Sequence, residues 1–68
     1  MGSPTKIGKN LKKAREEREM TQAEVADAAE LHVNYYARVE RGEETPSMTT
    51  LKTICKILKV KSSEILDF

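Results

Sequence analysis

Asn34 and Arg38 lie four positions apart in a stretch with helical periodicity, with Val33 and Tyr35 beside them. On a helix that spacing puts the amide and the guanidinium on one face. Such a set suits the edges of nucleobases. An Asn amide pairs bidentately with adenine and an Arg guanidinium with guanine, each worth about 1–3 kcal/mol of discrimination. Val33 offers an apolar contact to a thymine methyl. The Tyr35 hydroxyl either reaches a phosphate or stays a solvated surface group. Reactive chemistry has no comparable set. His32 is the sole histidine and Cys55 the sole cysteine; they are far apart in sequence, so no metal-ligand cluster and no cofactor are expected. There is no nucleophile–base–acid constellation, glycine-rich phosphate loop or pair of catalytic carboxylates. The length of 68 residues predicts a single domain over 1–68, with its core at about 7–66 and residues 1–5 read as tag-derived or flexible. A chain this short buries a thin core and is poorly suited to enclosing a pocket of enzymatic size. A binding surface is expected, not an enzyme.

A series of short helices must position that face. Ser3 reads as a cap and Pro4 as a first helical residue, followed by Ile7, Leu11 and Ala14 at helical spacing up to about Glu19. Thr21-Gln22-Ala23-Glu24 is a capping box that opens a second helix, with Val25, Ala26 and Ala29 as its apolar face. A break at Glu30-Leu31-His32 follows, with Leu31 plugging the corner. A third helix spans 33–41, with Tyr36 and Val39 inward, and Gly42 stops it. After the loop Glu43-Glu44-Thr45-Pro46, Ser47 caps a fourth helix whose buried stripe is Leu51, Ile54, Cys55 and Leu58. A turn over 60–63 leads to a last short helix at 64–66. Met20 and Met48, at element starts, read as packing residues. With no strand-like alternation, the fold class is all-α with five helices. The two helices within 21–42 form a rigid bihelical unit. Their N-termini, at Thr21 and Val33, turn amides and a positive dipole end toward any nearby phosphate.

Ile7-Gly8, Leu11, Arg15, Met20-Thr21-Gln22, Val25-Ala26, Tyr36, the run Arg38-Val39-Glu40-Arg41-Gly42, Pro46-Ser47, Leu51 and Val60 together carry a resemblance. In these residues and their spacing the chain is similar to the Cro/repressor-type (XRE-like) helix-turn-helix family. The resemblance implies a compact five-helix, lambda-repressor-like DNA-binding domain with its helix-turn-helix formed by helices 2 and 3. It implies a transcriptional regulator of repressor or controller type, binding double-stranded DNA as a homodimer at palindromic operators. On this reading Val33, Asn34, Tyr35 and Arg38 are base-facing. Gln22, Thr21 and Arg41 contact phosphate, and Gln22 also buttresses the recognition helix. Arg15 and Glu40 form a largely buried salt bridge between the first and third helices. The sequence departs from the pattern where Glu19 and Glu30 replace frequent glycines and where His32 replaces a capping Ser or Thr. Glu43 and Glu44 stand where basic residues would help, so they repel phosphate or turn away from it.

Self-association is expected around the last turn and helix, through Val60, Ile65 and Phe68, with Phe68 the best exposed anchor. Net charge is only +1, but its distribution is uneven. Both ends are basic, and residues 19–51 hold Arg38 and Arg41 against seven acids. That acidic centre supports the alternative of a protein-interaction module, such as an antitoxin or a transcriptional bridging factor of the same fold. No apolar run approaches the roughly 20 residues that span a bilayer. Met1-Gly2-Ser3-Pro4 is not a signal peptide, and a lone cysteine suits a reducing compartment. The expected location is the cytoplasm, with no membrane or small-molecule partner.

Overall fold

A computed structural model describes residues 4–66, with side chains from residue 6 onward. Its helices are α1 (Pro4–Glu17), α2 (Gln22–Ala28), α3 (Val33–Arg41), α4 (Met48–Leu58) and α5 (Ser62–Ile65). Among the described residues there is no strand, as expected. The starts follow local chemistry. Thr21 and Glu24 form a reciprocal capping box, Glu24 N–H to Thr21 Oγ1 at 3.0 Å and Thr21 N–H to Glu24 Oε1 at 2.8 Å. The Ser47 hydroxyl caps α4 by accepting from the Thr50 amide at 3.1 Å. His32 precedes α3 without a side-chain cap bond. The Ser3 cap lies outside the described residues.

Helices α1 to α4 all end in the same device. The chain enters the left-handed region, and the amides of the left-handed residue and of the one after it bond back to carbonyls in the last turn. The left-handed residues are Glu19, Glu30, Gly42 and Lys59, with φ of 55°, 59°, 82° and 58°. The longer bonds run from Met20 to Arg15, Leu31 to Ala26, Glu43 to Arg38 and Val60 to Cys55. Only one of the four is a glycine, so the turns expected at Glu19 and Glu30 form without the residue that suits them. Glu19 is accordingly outside α1, which ends two residues earlier than its pattern suggests. The last helix begins at Ser62, not Glu64, because the Glu64 carboxylate reaches back to the Lys61 amide at 2.7 Å.

The core is one cluster. Leu11, Val25, Tyr36, Val39, Ile54 and Leu58 have no exposed surface, and Ile7, Ala14, Ala26, Leu51, Cys55 and Ile65 complete it. Met20 and Leu31 pack against it from the turns. Met48 does not: it is 54% exposed, because it stands at the solvent side of the first turn of α4. The closest helix approach is at Gly8, where a methyl group would overlap the carbonyl oxygens of Val39 and Glu40. Glycine is needed there for close packing of α1 on α3, with no demand on its φ.

Candidate nucleic-acid interface

Burial of Tyr36 and Val39 turns the opposite face of α3 outward. Val33, at 43% exposure, and Asn34 are solvent-facing, while Tyr35 and Arg38 are half-buried. Tyr35 rests its ring partly on the core. The four expected base-facing side chains are therefore on the first turn and a half of one helix, leaning from its N-terminus. The uncapped end at His32 leaves amide donors open on the same side.

Glu40 anchors the inner side. It is the one buried charged residue among those described, and three elements meet on it. Arg15 of α1 donates through Nε to Oε2 at 2.7 Å and through a terminal nitrogen to Oε1 at 3.1 Å. The same guanidinium donates to the Met20 carbonyl at 2.8 Å. Gln22, the first residue of α2, donates through Nε2 to Oε1 at 2.9 Å. Burial pushes the Glu40 carboxyl up, but the hydrogen bonds from Arg15 and Gln22 outweigh it and hold it below the ordinary value. The expected Arg15–Glu40 bridge is thus present and bidentate. Gln22 buttresses α3 through it and has a second amide hydrogen beyond the one it gives to Glu40. The Tyr36 hydroxyl, buried beside this group, has no hydrogen-bond partner.

Beyond Glu40 the surface opens into a hollow of about 460 Å³ lined by Lys9, Lys12, Gln22, Glu40, Arg41 and Glu43. Arg41 does not project freely from it. Its Nε donates to Glu43 Oε2 at 2.8 Å and its terminal nitrogen to Oε1 at 3.3 Å. That bonding holds the Glu43 carboxyl below its usual range. Thr21 is also engaged: Glu24 occupies its amide and its hydroxyl oxygen, leaving only the hydroxyl proton to donate.

The helix-turn-helix family model matches residues 11–65. The chain belongs to the helix-turn-helix family. An immunity repressor protein of Bacillus phage phi105 is 35% identical over 60 residues, which cover 88% of this chain and 42% of the repressor. The chain spans about half the length of the curated relatives it matches. Among solved structures, the clp gene regulator ClgR of Corynebacterium glutamicum superposes with a TM-score of 0.91 at 25% identity, covering 94% of this chain and 68% of that one. The restriction-modification controller protein C.AhdI of Aeromonas hydrophila shares the fold at a TM-score of 0.87 and 24% identity, over 91% of this chain and 94% of its own.

Within this helix-turn-helix domain, α2 and α3 are the bihelical unit and α3 is its second helix, with one face turned to solvent. Lys9 and Lys12 were not singled out from the sequence as part of the interface. Their three-residue spacing on α1 was the available signal, but only the packing of α1 on α3 aims it at the hollow. The expected self-association patch needs correction. Ile65 is 2% exposed and belongs to the core, and its carbonyl accepts from Asn10 Nδ2 at 2.8 Å. It is unavailable to a partner because α5 needs that side chain to close the bottom of the bundle. Val60 is half-buried on the rim of a hollow of about 260 Å³ with Asn10, Lys13, Glu17 and Glu64. Phe68 lies outside the described residues. No described helix is long and apolar enough to cross a membrane.

Proposed function

We propose that the chain is a sequence-reading, double-stranded-DNA-binding regulator that lays α3 in the major groove. The outward stripe of α3 carries this reading: Val33, Asn34, Tyr35 and Arg38 lead from a helix whose other face is locked in the core. Asn34 and Arg38 read base edges through bidentate hydrogen bonds, and Val33 meets a thymine methyl. Gln22, with its spare amide hydrogen, and the Thr21 hydroxyl face a phosphate at the groove edge, and this fixes register. Lys9 and Lys12 extend the phosphate track onto α1. The names of the relatives, an immunity repressor and a clp gene regulator, support a role in transcription, and we place that role in the cytoplasm. A domain of this size reads a few base pairs, so two copies would bind half-sites about 34 Å apart on a palindrome. Val60, together with Phe68, is our candidate for that pairing.

Selection from a random duplex library followed by sequencing tests this reading. An inverted repeat is expected. Asn34→Ala and Arg38→Ala should each relax preference at one position of the half-site, while Gln22→Ala should weaken all sequences alike. Recovery of no enriched sequence at low salt would refute DNA reading and leave a protein-interaction module.

A further inference from the structure

Arg41 is the last residue of α3 and points into the hollow that Lys9, Lys12 and Gln22 share. Its guanidinium already holds an anion. The Glu43 carboxylate accepts two bonds from it in the fork geometry that a phosphate would take. Both side chains are more than half exposed, at 57% and 53%. An exposed pair of this kind adds little to stability, so folding does not explain its presence. Its position does: the carboxylate sits on the rim of a surface hollow otherwise furnished with two lysines, an amide donor and the inner carboxylate of Glu40, which Arg15 already neutralises.

We propose that Glu43 is an internal occupant of a DNA-phosphate seat, competing with the backbone for Arg41 and thereby setting the affinity of the interface. This rests on the DNA-binding reading above and adds a residue to it. A phosphate entering the seat displaces the carboxylate, which swings into solvent from an exposed loop and leaves Arg41 to pair with the phosphate. While Glu43 stays, it cancels one cation and adds an anion beside Lys9 and Lys12. A phosphate contact carries no sequence information, so this competition lowers affinity for every duplex by the same factor. It makes complex formation depend more on the base contacts of Asn34 and Arg38.

The test measures binding of a mixed-sequence DNA duplex by the full chain, across salt, in a cycle of Glu43→Gln, Arg41→Ala and the double variant. Thermal melts check that all are folded, as expected for two exposed side chains. Glu43→Gln should tighten binding several-fold. Because the phosphate reaches Arg41 in both proteins, the number of phosphate contacts is the same and the two salt slopes, at about −0.9 per contact, should run nearly parallel. In the Arg41→Ala background the same substitution should give a clearly smaller gain, because only the anion beside Lys9 and Lys12 is then removed. An equal gain in both backgrounds would overturn the proposal, because it would make Glu43 a general repulsive charge; no gain at all would overturn it too. If the parent chain binds no duplex at low salt, the DNA-binding reading itself fails, a result distinct from either.

Discussion

Glu19, Glu30 and Lys59 hold left-handed backbone that an L side chain resists, so glycine at these positions should stabilise the domain. An L residue in this region costs about 1–2 kcal/mol because Cβ crowds the following carbonyl. Glycine avoids that cost but loses more freedom on folding, by about 0.5–1 kcal/mol. The difference leaves about 0.5–1 kcal/mol in favour of Glu19→Gly, Glu30→Gly or Lys59→Gly. None of the three side chains supplies a hydrogen bond that the change would remove. In a domain of this length 1 kcal/mol moves Tm by about 4–8 °C, so each substitution should raise Tm by about 2–8 °C. The three combined, at about 2 kcal/mol, should raise it by about 8–16 °C. Gly42→Ala is the internal control: with φ at 82° it should lower Tm by a similar amount. Scanning calorimetry or far-UV circular dichroism reads the parent and the five variants. If the three glycine variants melt at or below the parent temperature while Gly42→Ala melts with it, backbone strain does not govern these turns and the argument fails.

Two further perturbations address the Glu40 hub and the α1–α3 contact. Glu40→Gln leaves Arg15 buried without its anion and should cost about 3 kcal/mol, the low end for a broken buried pair because the hub borders the open hollow; urea unfolding measures it. Because the Glu40 carboxyl titrates below its ordinary value when folded, the native state binds fewer protons than the unfolded chain in acid. Its stabilisation is therefore complete above about pH 4.5 and is lost as pH falls through the lower folded value, a limb of the stability–pH curve that Glu40→Gln should flatten. Gly8→Ala should push α1 away from the Val39 and Glu40 carbonyls and destabilise by about 1–3 kcal/mol, again by urea unfolding.

Where a side chain acts on its own neighbours, the sequence was readable. Thr21 with Glu24, Ser47 and Gly42 mark helix ends by hydrogen bonds or conformational freedom that act within a few residues, and α2, α3 and α4 begin or end where those signals put them. The end of α1 was less legible because no glycine marks it, and Glu19 takes the left-handed turn at an energetic cost. The start of α5 was missed because Lys61 has no capping side chain, and the signal is a glutamate three residues later. The outward stripe of α3 was legible because periodicity separates it from Tyr36 and Val39. The hollow was not, since it exists only where α1 crosses the end of α3, and no local pattern encodes that crossing. Glu43 was noticed as an acid near phosphate, but its grip on Arg41 depends on the turn that Gly42 makes. Which of Ile65 and Leu66 fills the core is not legible in the sequence, because so short a helix has too short a period to tell its faces apart.

The three-way grip on Glu40 also bears on how such a domain changes over generations. Arg15 and Gln22 fix α3 from one side and Gly8 admits it closely, so the placement of that helix is independent of Val33, Asn34 and Arg38. Those three positions can be rewritten one at a time in a duplicated gene without passing through an unfolded ancestor. On the proposed reading, each rewriting would alter what is read and not how the reader is held. Tyr35, with its ring against the core, is the letter that changes slowest, since replacing it also disturbs packing. Tyr35 apart, such a domain would keep its architecture and its vocabulary in separate sets of residues, so that new specificities arise from the second while selection guards the first.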